Sequence, residues 1–400
     1  MAQQATTATA NGPIYGGASN GTLTGLGTAD QRRALYLKLF SGEMFKGFQH
    51  NTIARDLVTR RTLTNGRSLQ FIYTGRTKAE FHVPGQSILG NDEKTPPVAE
   101  KTIECDDLLI SSAFVYELDE TLAHYDLRGE ISRKIGYALA ENYDRRIFRA
   151  ITKAARQPSP VSMSNFVEPG GSVVKVGAAA STTAADAYNA GHLVNAFYDA
   201  AAILDEKGVS GEGRVAVLNP RQYYALIQDV TNNGLINRDV QGTALQSGNG
   251  IIEIAGITIY KSMNIPFFGK FGTKTDMNPR ASNDNEGSFV GEAMGDQDSK
   301  LTPSNSNTQK TINNYGTATK FANSCGLIFQ KEACGVVEAI GPQVQVTSGD
   351  ISVVYQGDVI LGRLAMGANF LNPAAAVELV AGIDVSSNFN NTAVSNASFT

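Results

Sequence analysis

Cysteine and histidine are scarce in this sequence of 400 residues, and long apolar runs are missing. The three cysteines are an odd number, and Cys325 and Cys334 lie too far apart for a CxxC pair, so a disulfide framework is excluded. Reduced thiols in a cytoplasmic protein are the simpler interpretation. The four histidines show no ligand spacing, so we expect no metal site. No run of about eighteen apolar residues is present, which excludes a membrane-spanning helix.

Charge is also low. Charged residues make up 18% of the sequence, where about 25% is usual for a soluble domain, and glycine is abundant at 40 residues. The formal net charge of −4 excludes a strongly cationic nucleic-acid binder on the whole-chain average. A weakly charged surface either stays exposed as a neutral polar surface or is covered by partners. The second alternative points towards assembly.

Motifs that would indicate an enzyme are missing or out of context. The sequence contains no phosphate-binding GxxxxGK loop, no HExxH, no CxxC and no GxGxxG after a predicted strand. Residues 17–21 match the GxSxG string of hydrolases, with Ser19 at its centre. That elbow needs a strand before it and a helix after it, and this copy lies in an uncharged segment. We interpret it as a coincidence and predict no catalytic residue, no metal and no cofactor, with a hydrolase as a less favoured alternative.

The N-terminal and C-terminal segments differ in composition from the rest of the chain. Residues 1–29 contain no charged side chain, which is typical of a flexible arm. The first six residues have no basic residue ahead of an apolar run, so we expect no secretory signal peptide. Residues 278–316 are dominated by Asn, Ser, Gly, Asp and Thr and predict a long exposed loop. Residues 386–400 predict a polar, uncharged tail.

The central part of the chain predicts an α+β fold, and the chain length predicts two lobes. Apolar residues repeat every four positions over 127–156, which predicts one long helix. A second helix is expected over 185–207, and a third begins where Asn219 caps Pro220. Predicted strands are 69–73, 79–83, 108–118, 214–218, the hairpin 251–260, and runs within 326–340 and 344–366. The first two form a ribbon that is marginal in isolation, so it must pack on something else.

Charges form two opposed blocks along the chain. Residues 31–80 hold ten basic side chains against three acidic ones, and residues 81–120 hold nine acidic against two basic. Such blocks can pair within a molecule or between copies, or they can be the solvated faces of a ribbon. The candidate contacts between copies are Arg67, Arg76, Asp92, Glu93, Glu104, Asp106 and Asp107. The long helix is basic as well and could lie against phosphates without reading sequence. Its candidate residues are Arg133, Lys134, Arg145, Arg149 and Lys153.

The order of several weak motifs resembles that of a known family. The stretches are residues 34–43; Gly66-Arg67-Ser68 through Phe71, Gly75-Arg76-Thr77 and Pro84-Gly85; His124 to Arg128 with Glu130; Arg214-Val215 with Pro220 and Tyr223; and Gly326 to Phe329 with Ala365-Met366-Gly367. In this order, over about residues 30 to 380, the sequence resembles the major capsid protein of short-tailed, autographivirus-type bacteriophages.

This resemblance implies the tailed-phage and herpesvirus capsid fold. The implied domains are an N-terminal arm (1–56), an extended β loop (57–118), a peripheral domain with a spine helix (119–184), an axial domain including the polar loop (185–325), a return to the peripheral domain (326–383) and a C-terminal tail (384–400). It also implies hexamers and pentamers that close an icosahedral shell around double-stranded DNA, with a scaffolding protein and a portal as partners. No membrane is implied, and the expected location is the virion, after assembly in the host cytoplasm.

We therefore expect a structural capsid protein in which Arg67 and Arg76 pair with acidic residues of an adjacent copy. The basic spine helix is expected to face the packaged genome. A shell protein of a non-viral compartment with the same fold is the alternative.

Overall fold

The computed structural model describes part of the chain in two compact units. The described residues are 53–75, 79, 81–85, 87, 98–106, 108–116, 118, 127–158, 162–163, 166–178, 181, 184–227, 252–262, 264–265, 313, 315, 324–346 and 356–381. The small unit includes Leu109–Ala140 and Pro342–Leu364, and the large unit includes Thr52–Leu108, Glu141–Gly341 and residues from Ala365 onwards. Most of the predicted arm, the polar loop, residues 124–126 and the tail lie outside the described residues.

The described residues contain three α-helices and fourteen strands, which we number in chain order. The helices are α1 (Leu127–Ala155), α2 (Ala190–Glu206) and α3 (Pro220–Ile227). The strands are β1 (Thr59–Thr62), β2 (Ser68–Thr74), β3 (Val98–Glu104), β4 (Leu109–Tyr116), β5 (Ser162–Met163), β6 (Phe166–Val167), β7 (Ser172–Lys175), β8 (Arg214–Leu218), β9 (Ile252–Ile254), β10 (Ile257–Lys261), β11 (Ser324–Gln330), β12 (Cys334–Val346), β13 (Gly357–Phe370) and β14 (Ala376–Val380). The predicted α+β class is confirmed. No helix among these residues is both long and apolar enough to cross a membrane.

The helices agree closely with the sequence predictions. Helix α1 confirms the long apolar stripe, and α3 begins at Pro220 as expected. Helix α2 begins five residues later than predicted, because Asn189 caps it. The Asn189 Oδ1 atom accepts hydrogen bonds from the backbone N–H groups of Gly191 (3.0 Å) and His192 (3.4 Å). Residues 184–188 form a separate 3₁₀ turn instead.

A six-stranded sheet organises the core of the large unit. Its strand order is β7-β14-β11-β8-β10-β9, with β7 parallel to β14 and β8 parallel to β10. Apolar side chains of β8, β10, β11 and β14 form one core cluster with α2 and α3, including the fully buried Phe197, Leu218 and Ile328. The predicted boundary between the axial domain and the return to the peripheral domain, at residues 325 and 326, falls inside β11. The six-stranded sheet therefore contains strands from both predicted domains.

A four-stranded sheet has the order β1-β12-β13-β4. Within the small unit, β4 pairs with β13 in antiparallel register, for example Phe114 with Val359. Gly362 of β13 lies against α1, because a Cβ atom there would overlap the side chains of Ile135 and Leu139. The helix therefore covers one face of the β4–β13 pair.

The predicted ribbon pairs differently from our expectation. The expected strand 79–83 is wrong, since its described residues form no strand and Phe81 is fully exposed. Strand β2 pairs instead with β3, which the sequence analysis missed. This register places Phe71 and Ile103 on one face, where they pack against Val337 of β12. The hairpin is thus anchored at its base by apolar burial, which the 79–83 segment does not provide.

Gly367 generates a testable prediction for this architecture. An added Cβ atom at Gly367 of β13 would overlap the carbonyl oxygen of Glu104. Because backbone atoms cannot move aside as a side chain does, we expect Gly367→Ala to lower the free energy of unfolding by about 2–3 kcal/mol. Urea denaturation followed by circular dichroism measures this loss.

The matched control is Gly341→Ala on β12, where no atom lies within 4 Å of the added methyl group. We expect that change to alter the free energy of unfolding by less than about 1 kcal/mol. Equal losses for the two variants would contradict the prediction.

Candidate functional site

The second half of α1 places charged side chains inside the large unit. Arg149 is fully buried and Arg145 is 5% exposed, and the guanidinium of Arg145 forms an ion pair with Glu141 one turn earlier. Burial, reinforced by the charges of Arg145 and Arg146, lowers the pKa of Arg149 to about 9. Burial, reinforced by Lys101, also lowers the pKa of Lys153 to about 8. A charge in this environment needs compensating groups from other segments.

Arg156, directly after α1, binds Glu378 on β14. The guanidinium donates two hydrogen bonds, from Nε to Oε2 and from an Nη atom to Oε1, each 2.6 Å long. Both side chains are almost completely buried. This bidentate pair connects α1 to the six-stranded sheet across 222 positions of sequence.

Asp106, at the end of the β2–β3 hairpin, is the centre of a buried polar network. Its carboxylate lies 3.5 Å from the Arg146 guanidinium and accepts a 2.6 Å hydrogen bond from the Tyr315 hydroxyl. Asn313 donates to the same carboxylate from its backbone nitrogen (3.1 Å) and its side-chain amide (3.0 Å). Tyr315 in turn accepts a hydrogen bond from the backbone N–H of Ala368. The network fixes residues 313 and 315 against the root of the hairpin.

Glu338 on β12 gathers three partners from the start of the described chain and from α1. Arg55 donates two hydrogen bonds to it (3.1 and 3.2 Å), and the Tyr143 hydroxyl donates a third at 2.6 Å. Arg60 lies 3.7 Å from the same carboxylate. Burial, then the hydrogen bond and charge of Glu338, raise the pKa of Tyr143 well above its usual value.

Asp144 holds the backbone where the predicted arm joins the large unit. Its carboxylate accepts hydrogen bonds from the N–H groups of Ile53 (2.9 Å) and Ala54 (3.2 Å). Burial raises the pKa of Asp144 to about 6, although these two bonds and the Asn264 side chain act in the opposite direction. The backbone at residues 53 and 54 is therefore fixed to α1 by polar contacts.

The described residues offer nothing that resembles a reaction centre. No group of three or more Cys, His, Asp or Glu side chains among them could hold a metal ion. The three cysteines are buried, and burial raises the pKa of each thiol. Ser19 lies outside the described residues. What the geometry does present is a set of buried ionic contacts within the large unit and several exposed apolar side chains.

Residues 70–380 match a family model described as Gp10A-like major capsid protein. The chain belongs to this family. The major capsid protein of Enterobacteria phage T3 is 25% identical over 373 residues, which cover 92% of this chain and 97% of that protein. A capsid structure of cyanophage P-SCSP1u is similar with a TM-score of 0.64 at 30% identity, covering 91% and 97% of the two chains. The mature capsid protein of bacteriophage PhiM1 shares the fold, with a TM-score of 0.57 at 14% identity over 92% and 95% of the chains.

The chain is thus a structural capsid protein of the phage virion with the tailed-phage capsid fold, and not an enzyme. The resemblance stated from the sequence is confirmed. Membership of this family does not favour either alternative function, a hydrolase or a shell protein of a non-viral compartment.

The residues predicted to contact other capsid subunits occupy different environments. Arg67 is exposed at the start of β2, and Glu104 is half-buried at the end of β3. Asp106 is 5% exposed and bound within its own chain, so in this conformation it is not accessible to a neighbour. Arg76, Asp92, Glu93 and Asp107 lie outside the described residues. The pairing of these residues between capsid subunits stays a prediction.

The predicted genome-facing residues also divide into two groups. Arg133 and Lys134 are exposed in the first half of α1, and Arg133 forms a 3.1 Å ion pair with Glu130. Arg145 and Arg149 are buried, and Lys153 is half-buried with its Nζ atom 5.6 Å from the centre of the Phe370 ring. Of the five, only Arg133 and Lys134 are exposed to solvent.

An exposed apolar surface on the small unit was missed by the sequence analysis. Ile110, Phe114 and Tyr116 of β4 are 51%, 46% and 37% exposed. On β13, the half-buried Val359, Leu361 and Arg363 pair with Phe114, Ser112 and Ile110. Directly paired residues of an antiparallel pair share a face, so these side chains form one surface, which we call the β4 surface. The alternation of apolar residues at 110, 114 and 116 on the face opposite 113 and 115 is the signal that could have revealed it.

The Arg156–Glu378 pair leads to a stability prediction. Arg156→Met leaves a buried carboxylate without this guanidinium, and we expect the free energy of unfolding to fall by about 3–5 kcal/mol. Adding Glu378→Leu should recover more than half of the loss, because two apolar side chains of similar volume then replace the ion pair. Urea denaturation of the three proteins measures both effects. A double variant less stable than Arg156→Met alone would show that this pair is not the dominant interaction at the site.

Asp144 leads to a prediction on pH dependence. Its pKa is raised from the usual 3.8 to about 6, so the folded chain binds this proton more tightly than the unfolded chain. Its stabilising contribution is complete below about pH 4 and is lost as the pH rises through about 6. The loss amounts to roughly 3 kcal/mol at most. The difference in unfolding free energy between the wild type and Asp144→Asn should therefore fall between pH 4 and 7, and a difference independent of pH would contradict this.

Proposed function

We propose that this capsid protein assembles into hexamers and pentamers that close an icosahedral phage head around double-stranded DNA. The observation that carries the proposal is the exposed β4 surface in a member of the major capsid protein family. Assembly in the host cytoplasm with a scaffolding protein and a portal belongs to the same proposal, as does the division into arm, extended loop, peripheral and axial domains.

The β4 surface is apolar along the β4 strand itself. Residues 108–116 contain no charged side chain, while three large apolar residues on one face of β4 are between 37% and 51% exposed. Contiguous apolar surface of this kind marks a site of protein association. A partner that covers these side chains removes apolar area from water and also meets the guanidinium of Arg363, the strand partner of Ile110.

The β2–β3 hairpin carries the complementary feature on its outward face. Ile72 and Val98 are 74% and 62% exposed, although the opposite face of the hairpin is buried by Phe71 and Ile103. An isolated two-stranded ribbon is marginal, so contacts with a neighbouring subunit would stabilise the part beyond its anchored base. We infer that the hairpin of one subunit lies on the β4 surface of the next.

Charged residues supply the orientation of this contact. Arg67 lies at the start of the hairpin, and Arg76 follows β2 in the sequence. Pairing of both with acidic residues of the adjacent subunit would fix the register of the hairpin, since electrostatic complementarity contributes more to specificity than to affinity. On the first half of α1, Arg133 and Lys134 would contact phosphates of the packaged DNA without reading its sequence.

Substitutions on the β4 surface test the proposal directly. The double variant Ile110→Lys/Phe114→Lys places two charges where a neighbour must bury apolar area, so we expect shell formation to fall by at least about tenfold. The readouts are sucrose-gradient sedimentation and negative-stain microscopy of the full chain co-expressed with its scaffolding protein. Glu253→Lys, an exposed change on β9, is the control and should leave the shell yield unchanged. Normal shells from the double variant would refute a role of the β4 surface in assembly.

Charge reversal on the hairpin tests the orientation. Arg67→Glu/Arg76→Glu should abolish closed shells while the subunits remain soluble and folded, because like charges then meet across the contact. Circular dichroism verifies the fold, and microscopy counts the shells. Shells of normal number and size from this variant would refute the predicted pairing.

A further inference from the structure

A basic and aromatic patch lies on α3 and β10 of the large unit. Arg221 is exposed, and Tyr224 and Tyr260 are 42% and 38% exposed. The Nζ atom of Lys261 lies 5.3 Å from the centre of the Tyr224 ring and donates a 3.2 Å hydrogen bond to its hydroxyl. Tyrosine and arginine at accessible positions are the residues that most often carry binding energy in protein interfaces. We call these four residues the basic patch.

Helix α2 carries a surface of opposite character. Its exposed positions follow helical spacing and occupy one side of the helix. They are Asn195, Tyr198, Asp199, Ala202, Asp205 and Glu206. Tyr198 is 52% exposed at one end of this acidic face. Asp205 pairs with Arg214 at 2.6 Å, whereas Asp199 and Glu206 have no ion-pair partner within the described part of the chain.

The position of Glu206 is unfavourable for the isolated subunit. Glu206 occupies the last turn of α2, which contains no basic residue, whereas Asp205 in the same turn is compensated by Arg214. The helix dipole places partial negative charge at that end, so the carboxylate of Glu206 is unfavourable there. A cationic partner from outside the subunit would remove this cost. The acidic face of α2 therefore fits a basic surface, and the chain itself carries one.

We propose that the acidic face of α2 in one subunit binds the basic patch of the next subunit around the ring. This inference rests on the proposed function, since it assigns the contact that closes the capsomer. Each copy carries both surfaces on separate elements, so the contact is heterologous and repeats from copy to copy until the ring closes. Phosphates are disfavoured as the partner of α2, because the carboxylates of Asp199 and Glu206 would repel them.

The shared core fixes the geometry of this contact. Phe197 and Leu204 on the buried side of α2 and Tyr223 and Leu226 of α3 belong to the same apolar cluster. The two surfaces are therefore held at a constant angle within one subunit. That angle sets the rotation between neighbours, while Tyr198 and Tyr224 supply apolar area that excludes water from the charges.

Charge exchange tests the pairing. One variant of the full chain is Asp199→Lys/Glu206→Lys, and the other is Arg221→Glu/Lys261→Glu. Each alone should weaken the association of soluble subunits about tenfold, because like charges then face each other. Sedimentation velocity at low salt measures the association. A chain that carries all four changes should regain most of it.

Two controls keep the outcome decisive. Glu212→Lys, an exposed change on the same unit, should leave association unchanged. Lys261→Gln replaces the second variant if loss of the cation over the tyrosine rings unfolds α3, and it should weaken association to a smaller extent. The pairing is overturned if association is unchanged in both charge-reversed variants. It is also overturned if the chain with all four changes associates as weakly as either double variant. If the wild-type chain forms normal shells and the pairing is overturned, the proposed function remains intact. If wild-type subunits associate but never form shells, the proposed shell is contradicted and the pairing is not.

Discussion

Compensation of charge inside the large unit is the constraint on which the rest of the fold depends. The second half of α1 carries Arg146, Arg149 and Asp144 in buried positions, and a buried charge is tolerated only with closely placed partners. Asp106 supplies one partner from the hairpin, and the backbone of Ile53 and Ala54 supplies another from the arm junction. Each peripheral segment is thereby held to α1 by a directional contact that apolar packing alone would not give.

The β2–β3 hairpin and the β4–β13 pair each combine a packed face with an exposed apolar face. The base of the hairpin is anchored by Phe71 and Ile103, while Ile72 and Val98 on its other face remain in solvent. The β4–β13 pair is covered by α1 on one face, and its other face exposes Phe114. Each of these two elements thus has one face packed within the subunit and one face exposed to solvent.

Local patterns revealed the helices well, since the four-residue repeat through Ile135, Leu139 and Tyr143 and the cap at Asn219 act over short distances. They did not reveal that Arg149 is buried, because periodicity assigns a charged residue to the surface. The residues that surround this part of α1 come from segments far away in sequence. Arg156 and Glu378, for example, are 222 residues apart. The partner of β2 was missed for the same reason: Val98–Glu104 carries two glutamates and a lysine, and only the fold places Ile103 against Val337.

The six-stranded sheet also determines when the chain can fold. Strand β14 lies between β7 and β11, and its parallel register joins residues 377–380 to residues 172–175. The central strands therefore remain incomplete until the ribosome has synthesised nearly the whole chain. Pairings this distant close slowly, which leaves apolar strands open to aggregation in the meantime. The order of synthesis therefore places the completion of this sheet at the very end of translation, well before any second copy is met.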